Sequence, residues 1–218
     1  NDIPAVAIVD PELMYSMPKG LTAATGMDAL THAIESYITP GAWVMSDMFE
    51  LKAIEMIAQN LKAAVDNGKD VAAREAMSQA QYIAGMGFSN VGLGIVHSMA
   101  HPLGAFYDTP HGVANALLLP YVMEYNAESP AAPKYIHIAK AMGVDTTGMS
   151  EAEGVKAAIE AVKALSISIN IPQKLHEINV KEEDIPALAV AAFNDVCTGG
   201  NPRPTSVADI EALYHKAF

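Results

Sequence analysis

The chain has 218 residues, 51% of them hydrophobic, and a net charge of -12 at pH 7. That length allows one large domain with a sizeable core. The acidic balance argues against nucleic acid, whose phosphates demand a basic surface. The single cysteine, Cys197, excludes an internal disulfide framework and fits a reducing cytosol, so a cytoplasmic location is expected. No apolar run approaches the roughly 18 residues of a membrane span. No signal peptide is read before the first helix, and a start at Asn1 rather than Met suggests a piece of a longer product.

Residues 5–9 (AVAIV) form a short β-branched run closed by Asp10 and Pro11, which reads as one strand. A lone strand has no partner for its backbone groups, so its sheet is expected to lie elsewhere. From Pro18 the pattern is helical: Leu21, Ala24, Met27, Leu30, Ile34 and Tyr37 recur at three- and four-residue steps until Pro40 and Gly41. Ser46 reads as the N-cap of a second helix reaching residues 67–68, and a third helix is expected over 71–86. The glycines at 85, 87, 92 and 94 then allow a close helix approach or a bend, without the pattern of a phosphate loop. A helix over 95–101 is expected to stop near Pro102, and another runs from His111 with a kink at Pro120. Ser150 and Glu153 make a capping box for a helix to about residue 168. Helices over 185–196 and from Ser206 complete about eight or nine. The expected fold is all-α, with residues 1–15 a remnant strand and interdomain connection and residues 16–218 a single helical domain.

Four histidines and one aspartate stand in unusually apolar sequence. Asp28 and His32 are four apart, as are His97 and His101, so each pair shares a helix face. His111 follows two breaks at Pro102/Gly104 and Pro110, near the start of the next helix. One histidine on an apolar face is most often a core residue bonded to a carbonyl. Two such pairs plus a fifth candidate point instead to a divalent cation. Asp28 also has no Arg or Lys within a turn to compensate it. Imidazole with carboxylate suits zinc, iron, cobalt or nickel rather than magnesium or calcium. No cysteine is near in sequence, and an Asp/His set leaves a position open for a substrate oxygen. HSMAH has the outer spacing of HExxH, but Ser98 stands where a metalloprotease needs its glutamate.

The segments GLTAATGMDALTHAIESY, GMGFSNVGLGIVHSMAHPLGAFYDTPHGVANALLLP and DVCTGGNPRP resemble the iron-containing (group III) alcohol dehydrogenase family. The likeness covers essentially the whole chain. It implies the helical C-terminal domain of a dehydroquinate synthase-like protein, facing an N-terminal dinucleotide-binding domain across a cleft. It implies a ferrous ion on Asp28, His32, His97 and His111, with zinc a possible substitute. His101 would face the nicotinamide and move the proton. Phe88 and Cys197 would line the substrate and cofactor pocket, and the stretch 9–13, with Leu13, would touch the cofactor. The implied activity is NAD(P)-linked interconversion of a small alcohol or diol and its aldehyde, in an enzyme that is often oligomeric. The family's phosphate-binding loop has no counterpart here, so this chain alone is expected to hold a dinucleotide weakly. Two alternatives accompany this reading: an inactive helical fragment that binds metal for stability, and a zinc-dependent polyol dehydrogenase relative.

Overall fold

The computed structural model describes residues 6–218, and among them the only regular elements are helices. Nine α-helices occur in chain order: α1 (Lys19–Ile38), α2 (Val44–Asp66), α3 (Val71–Val91), α4 (Ile95–Tyr107), α5 (His111–Asn126), α6 (Tyr135–Ala141), α7 (Glu151–Ser168), α8 (Ile185–Phe193) and α9 (Val207–Ala217). Short 3-10 turns connect several of them, notably Pro11–Met14 and Val196–Gly200.

The strand expected over 5–9 is not found. Residues 6–10 lack regular structure and Val6 and Ile8 are exposed, while residue 5 lies outside the described residues. No second strand is present among the described residues to satisfy its backbone groups.

Helix α1 is the hub, packing against α2, α3 and α5. Its Met27, Leu30, Ala33 and Ile34 are fully buried, as the helical spacing predicts. The α2–α3 hairpin covers one side; α4 and α5 cover the other, backed by α8 and α9. Replacing a buried Leu or Ile of this layer with Ala costs about 2–5 kcal/mol in such cores.

Several helix limits differ from expectation. Helix α2 begins at Val44, and Ser46 sits one turn in, accepting the Trp43 N–H at 2.9 Å. Helix α3 continues to Val91 through Gly85 and Gly87. Gly87 serves close packing rather than a bend, because a Cβ there would lie 1.9 Å from Glu50 Oε1. Helix α4 passes through Pro102 and ends at Tyr107. The fully buried Met99 and Leu103 outweigh the single hydrogen bond that proline removes. Helix α8 ends at Phe193, before Asp195 N-caps the next 3-10 turn through the Cys197 N–H.

Candidate metal centre

Three helices deliver the expected ligands to one place. Asp28 and His32 project from the middle of α1, His97 from the first turn of α4, and His111 opens α5. Gly112 makes the last approach possible. A Cβ there would meet the Ala24 carbonyl oxygen at 2.4 Å, so only glycine lets α5 press against the α1 backbone beside Asp28.

One donor atom each from Asp28, His97 and His111 lie within 4.8 Å of one another. His111 Nε2 and His97 Nε2 stand 3.5 and 3.9 Å from Asp28 Oδ1. His32 lies beside this trio. Its Nδ1 is 4.0 Å from Asp28 Oδ2, and its ring stacks on Phe88 and tilts against His97, both at 4.5 Å between centroids. Burial first, and then the neighbouring His97, drop the His32 pKa to about 4, against the pull of Asp28. Burial likewise lowers that of His111. Both imidazoles are therefore neutral at pH 7, the state in which histidine ligates metal.

The decisive atom is His97 Nε2. His97 is 1% exposed, and its Nδ1 lies 2.6 Å from Glu35 Oε2. Glu35, itself 2% exposed, also accepts the Val96 N–H at 2.7 Å. A carboxylate on Nδ1 favours the tautomer with its proton there, leaving the Nε2 lone pair turned toward Asp28. That Nε2 is buried without any hydrogen-bond partner. An orphan of this kind costs roughly 1–3 kcal/mol unless something accepts its lone pair. A cation with nitrogen and oxygen ligands fits this donor set.

Sequence reasoning missed three supporting residues. Glu35 is one. Asn115, one turn after His111, donates to Asp28 Oδ1 at 2.6 Å and lies 2.9 Å from His111 Nε2. Asp195 is the third: its Oδ2 is 2.7 Å from His101 Nδ1, while its Oδ1 takes the Cys197 N–H at 2.8 Å. Burial would raise the Asp195 pKa, but the Cys197 amide and His101 outweigh it and hold the carboxyl low. His101 is part-exposed and its ring stacks against that of His111.

The remaining expected residues surround this cluster. Phe88 sits between two hollows. One, a cavity of about 410 Å³, is lined by Met14, Met17, Asp28, His32, Arg74 and Phe88. The other is a shallow groove shared by Phe88, Leu93, Val196 and Cys197. The structure thus brings Cys197, remote in sequence, beside the histidines. Leu13 is 80% exposed on the 3-10 turn whose neighbour Met14 faces the first cavity.

A profile of the Fe-containing alcohol dehydrogenase family, C-terminal part, matches residues 22–218. The chain belongs to the iron-containing alcohol dehydrogenase family. It is 59% identical to lactaldehyde reductase of Escherichia coli (strain K12) over 218 residues, all of this chain and 56% of that protein. It is 46% identical to NAD-dependent methanol dehydrogenase of Bacillus methanolicus over 215 residues, 99% of this chain and 56% of that one. The crystal structure of a 1,3-propanediol oxidoreductase superposes with a TM-score of 0.97 at 47% identity, covering 99% of this chain and 56% of the other. The chain thus spans a little over half the length of these relatives and corresponds to the C-terminal domain of the iron-containing dehydrogenases, whose helical fold it shares.

Proposed function

We propose that this chain is the metal-holding catalytic half of an NAD(P)-linked, iron-dependent alcohol dehydrogenase that interconverts a small alcohol or diol and its aldehyde. The orphaned His97 Nε2, buried and facing Asp28 and His111, carries the reading. The names of the relatives, lactaldehyde reductase and 1,3-propanediol dehydrogenase among them, support the substrate class. The dinucleotide would come with an N-terminal domain like that of the longer relatives.

Asp28, His32, His97 and His111 would hold the ion; zinc is a possible substitute for iron by ligand chemistry. When bound, such an ion supplies Lewis acidity that stabilises negative charge on a substrate oxygen. Asp28 balances the cation's charge, and Asn115 steadies Asp28 and His111. Glu35 orients His97 through Nδ1. Asp195 does the same for His101, which leaves His101 Nε2 free to take or give a proton at the cleft. Phe88 stacks on His32 and keeps one wall of the cavity apolar. Cys197 is no nucleophile: burial first, then the Asp195 charge, push its thiol up to about 12, so it serves as neutral lining.

The test is metal stoichiometry. The chain, purified anaerobically and reloaded with ferrous iron, is expected to hold about one equivalent by elemental analysis, and His111→Ala to lose most of it. Retention in that variant would remove His111 from the ligand set, and absence of metal from the wild type would overturn the site. His101→Ala is expected to keep its metal and slow alcohol oxidation in the full-length polypeptide.

A further inference from the structure

The described residues hold a second group of metal-competent donors. His101, Asp195 and Cys197 each offer one atom, nitrogen, oxygen and sulfur, all within 4.8 Å of one another. They come from two elements that fold against each other, α4 and the Val196–Gly200 turn with its cap. We propose that these three residues form a separate cation site, selective for thiophilic divalent ions of the zinc and cadmium class, whose filling silences His101. The binding rests on this geometry alone; its inhibitory consequence rests on the proton-carrying role proposed above for His101.

The donors suit such an ion. Zinc sits about 2.0–2.3 Å from N, O and S ligands, so tetrahedral donors lie roughly 3.2–3.8 Å apart. With every pair inside 4.8 Å, no pair exceeds that spacing by more than about 1–1.6 Å. The His101–Asp195 contact at 2.7 Å must open slightly and exchange its hydrogen bond for two metal bonds. Part-exposed His101 and the groove along Cys197 and Val196 provide an entry path. The chain's net charge of -12 raises the local concentration of cations. Three protein ligands leave the fourth position to water.

The two sites differ in chemistry. Asp28, His32, His97 and His111 provide only oxygen and nitrogen, whereas the second group includes the chain's one sulfur thiol. On binding, Cys197 loses its thiol proton to solvent and becomes a thiolate ligand; no electron is transferred. Bound through Nδ1, the imidazole gives up the N–H it donates to Asp195 and takes its ring proton on Nε2 by exchange with solvent, so His101 is no longer held by Asp195 with Nε2 free to accept a proton.

Cadmium provides the readout, because a thiolate–cadmium bond adds a charge-transfer absorption that oxygen and nitrogen ligands do not. Iron-loaded protein is titrated with cadmium under anaerobic conditions, alongside Cys197→Ser and His111→Ala. The wild-type minus Cys197→Ser difference isolates this thiol in any length of chain. One thiolate-ligated equivalent is expected in the wild type, absent in Cys197→Ser and intact in His111→Ala. Asp195→Asn is expected to weaken the band's cadmium affinity about tenfold or more. Alcohol oxidation by the full-length polypeptide is expected to fall as the band grows, and to escape this in Cys197→Ser. Absence of the band at stoichiometric cadmium overturns the proposal. So does a band lost in His111→Ala, which would assign Cys197 to the first site. A band that grows only as chains associate, seen by sedimentation, would mean bridging between molecules and also overturns it. Failure of the first site alone, with loss of iron binding but a normal band, leaves this inference standing and is read separately.

Discussion

Burial without a partner governs Glu50. Its side chain is fully buried in α2 against Gly87, and neither oxygen has a hydrogen-bond partner. The nearby Ser36 hydroxyl donates to the His32 carbonyl instead. Burial, partly opposed by the neighbouring Ser36 hydroxyl and reinforced by Asp47, pushes the carboxyl up to about 8 from 4.5. The folded state therefore keeps a proton that the unfolded chain releases above pH 4.5. Stability is fully present below that pH, and is lost as pH rises to about 8, by roughly 1.4 kcal/mol per unit. Glu50→Gln is expected to raise the thermal midpoint at pH 8 by several degrees and to leave it nearly unchanged at pH 4. Equal shifts at both pH values would show that Glu50 is not protonated in the fold. At the metal centre, Glu35→Gln puts an amide N–H against either Val96 N–H or His97 Nδ1. Metal affinity by chelator competition is expected to drop about 10–100-fold, as for other carboxylate–histidine pairs. Both i,i+4 pairs were legible because helix geometry alone sets them on one face. Glu35, 62 residues from His97, was not, since tertiary packing creates that contact. Its one readable trace is a carboxylate one turn past His32, on a face without a nearby Lys or Arg.

Elements follow the same division between local and global control. Helices with strong caps were placed correctly: Ser150–Glu153 opens α7 and Ser206 opens α9. Limits failed where burial overrides a breaker, as at Pro102 in α4 and at Gly85 and Gly87 in α3. Helix α6 escaped notice because its seven residues are too short to show a period. A side chain on α3 also holds segments together. Arg74, 1% exposed, donates to the Gly68 and Met17 carbonyls and to Thr22 Oγ1. It pins the α2–α3 turn, the start of α1 and the wall of the cavity beside His32. Arg74→Met is expected to cost about 3 kcal/mol in urea unfolding, since it strands three buried or half-buried acceptors. A loss below about 1 kcal/mol would mean that water replaces the guanidinium.

For the molecule as a whole, the cluster of uncompensated ligands should make apoprotein stability depend on metal. Ferrous iron at 100 times its dissociation constant adds about 2.7 kcal/mol to a fold whose unfolded chain does not bind it. That corresponds to roughly 5–10 °C in thermal midpoint for a chain of this size, reversed by chelator. An unchanged midpoint would mean that the site is not formed in the isolated chain. Large apolar groups, including Leu13, Phe106 and Val196, stay exposed. Fold class, helix order and the residues of the cluster were readable from periodicity and resemblance; the contacts between elements were not. The order of those elements has its own consequence during synthesis. Asp28 and Glu35 emerge early, on the helix that every neighbour needs, while their partners wait on α4 and α5. A nascent chain ending within α3 carries two carboxylates on the face of α1 that must later be enclosed, with His32 the one imidazole of the cluster yet present. Helix α1 has α2 and α3 to pack against first, but its centre-facing side is enclosed only when α4 and α5 follow, and a chain that ends before His111 lacks one of the four proposed ligands.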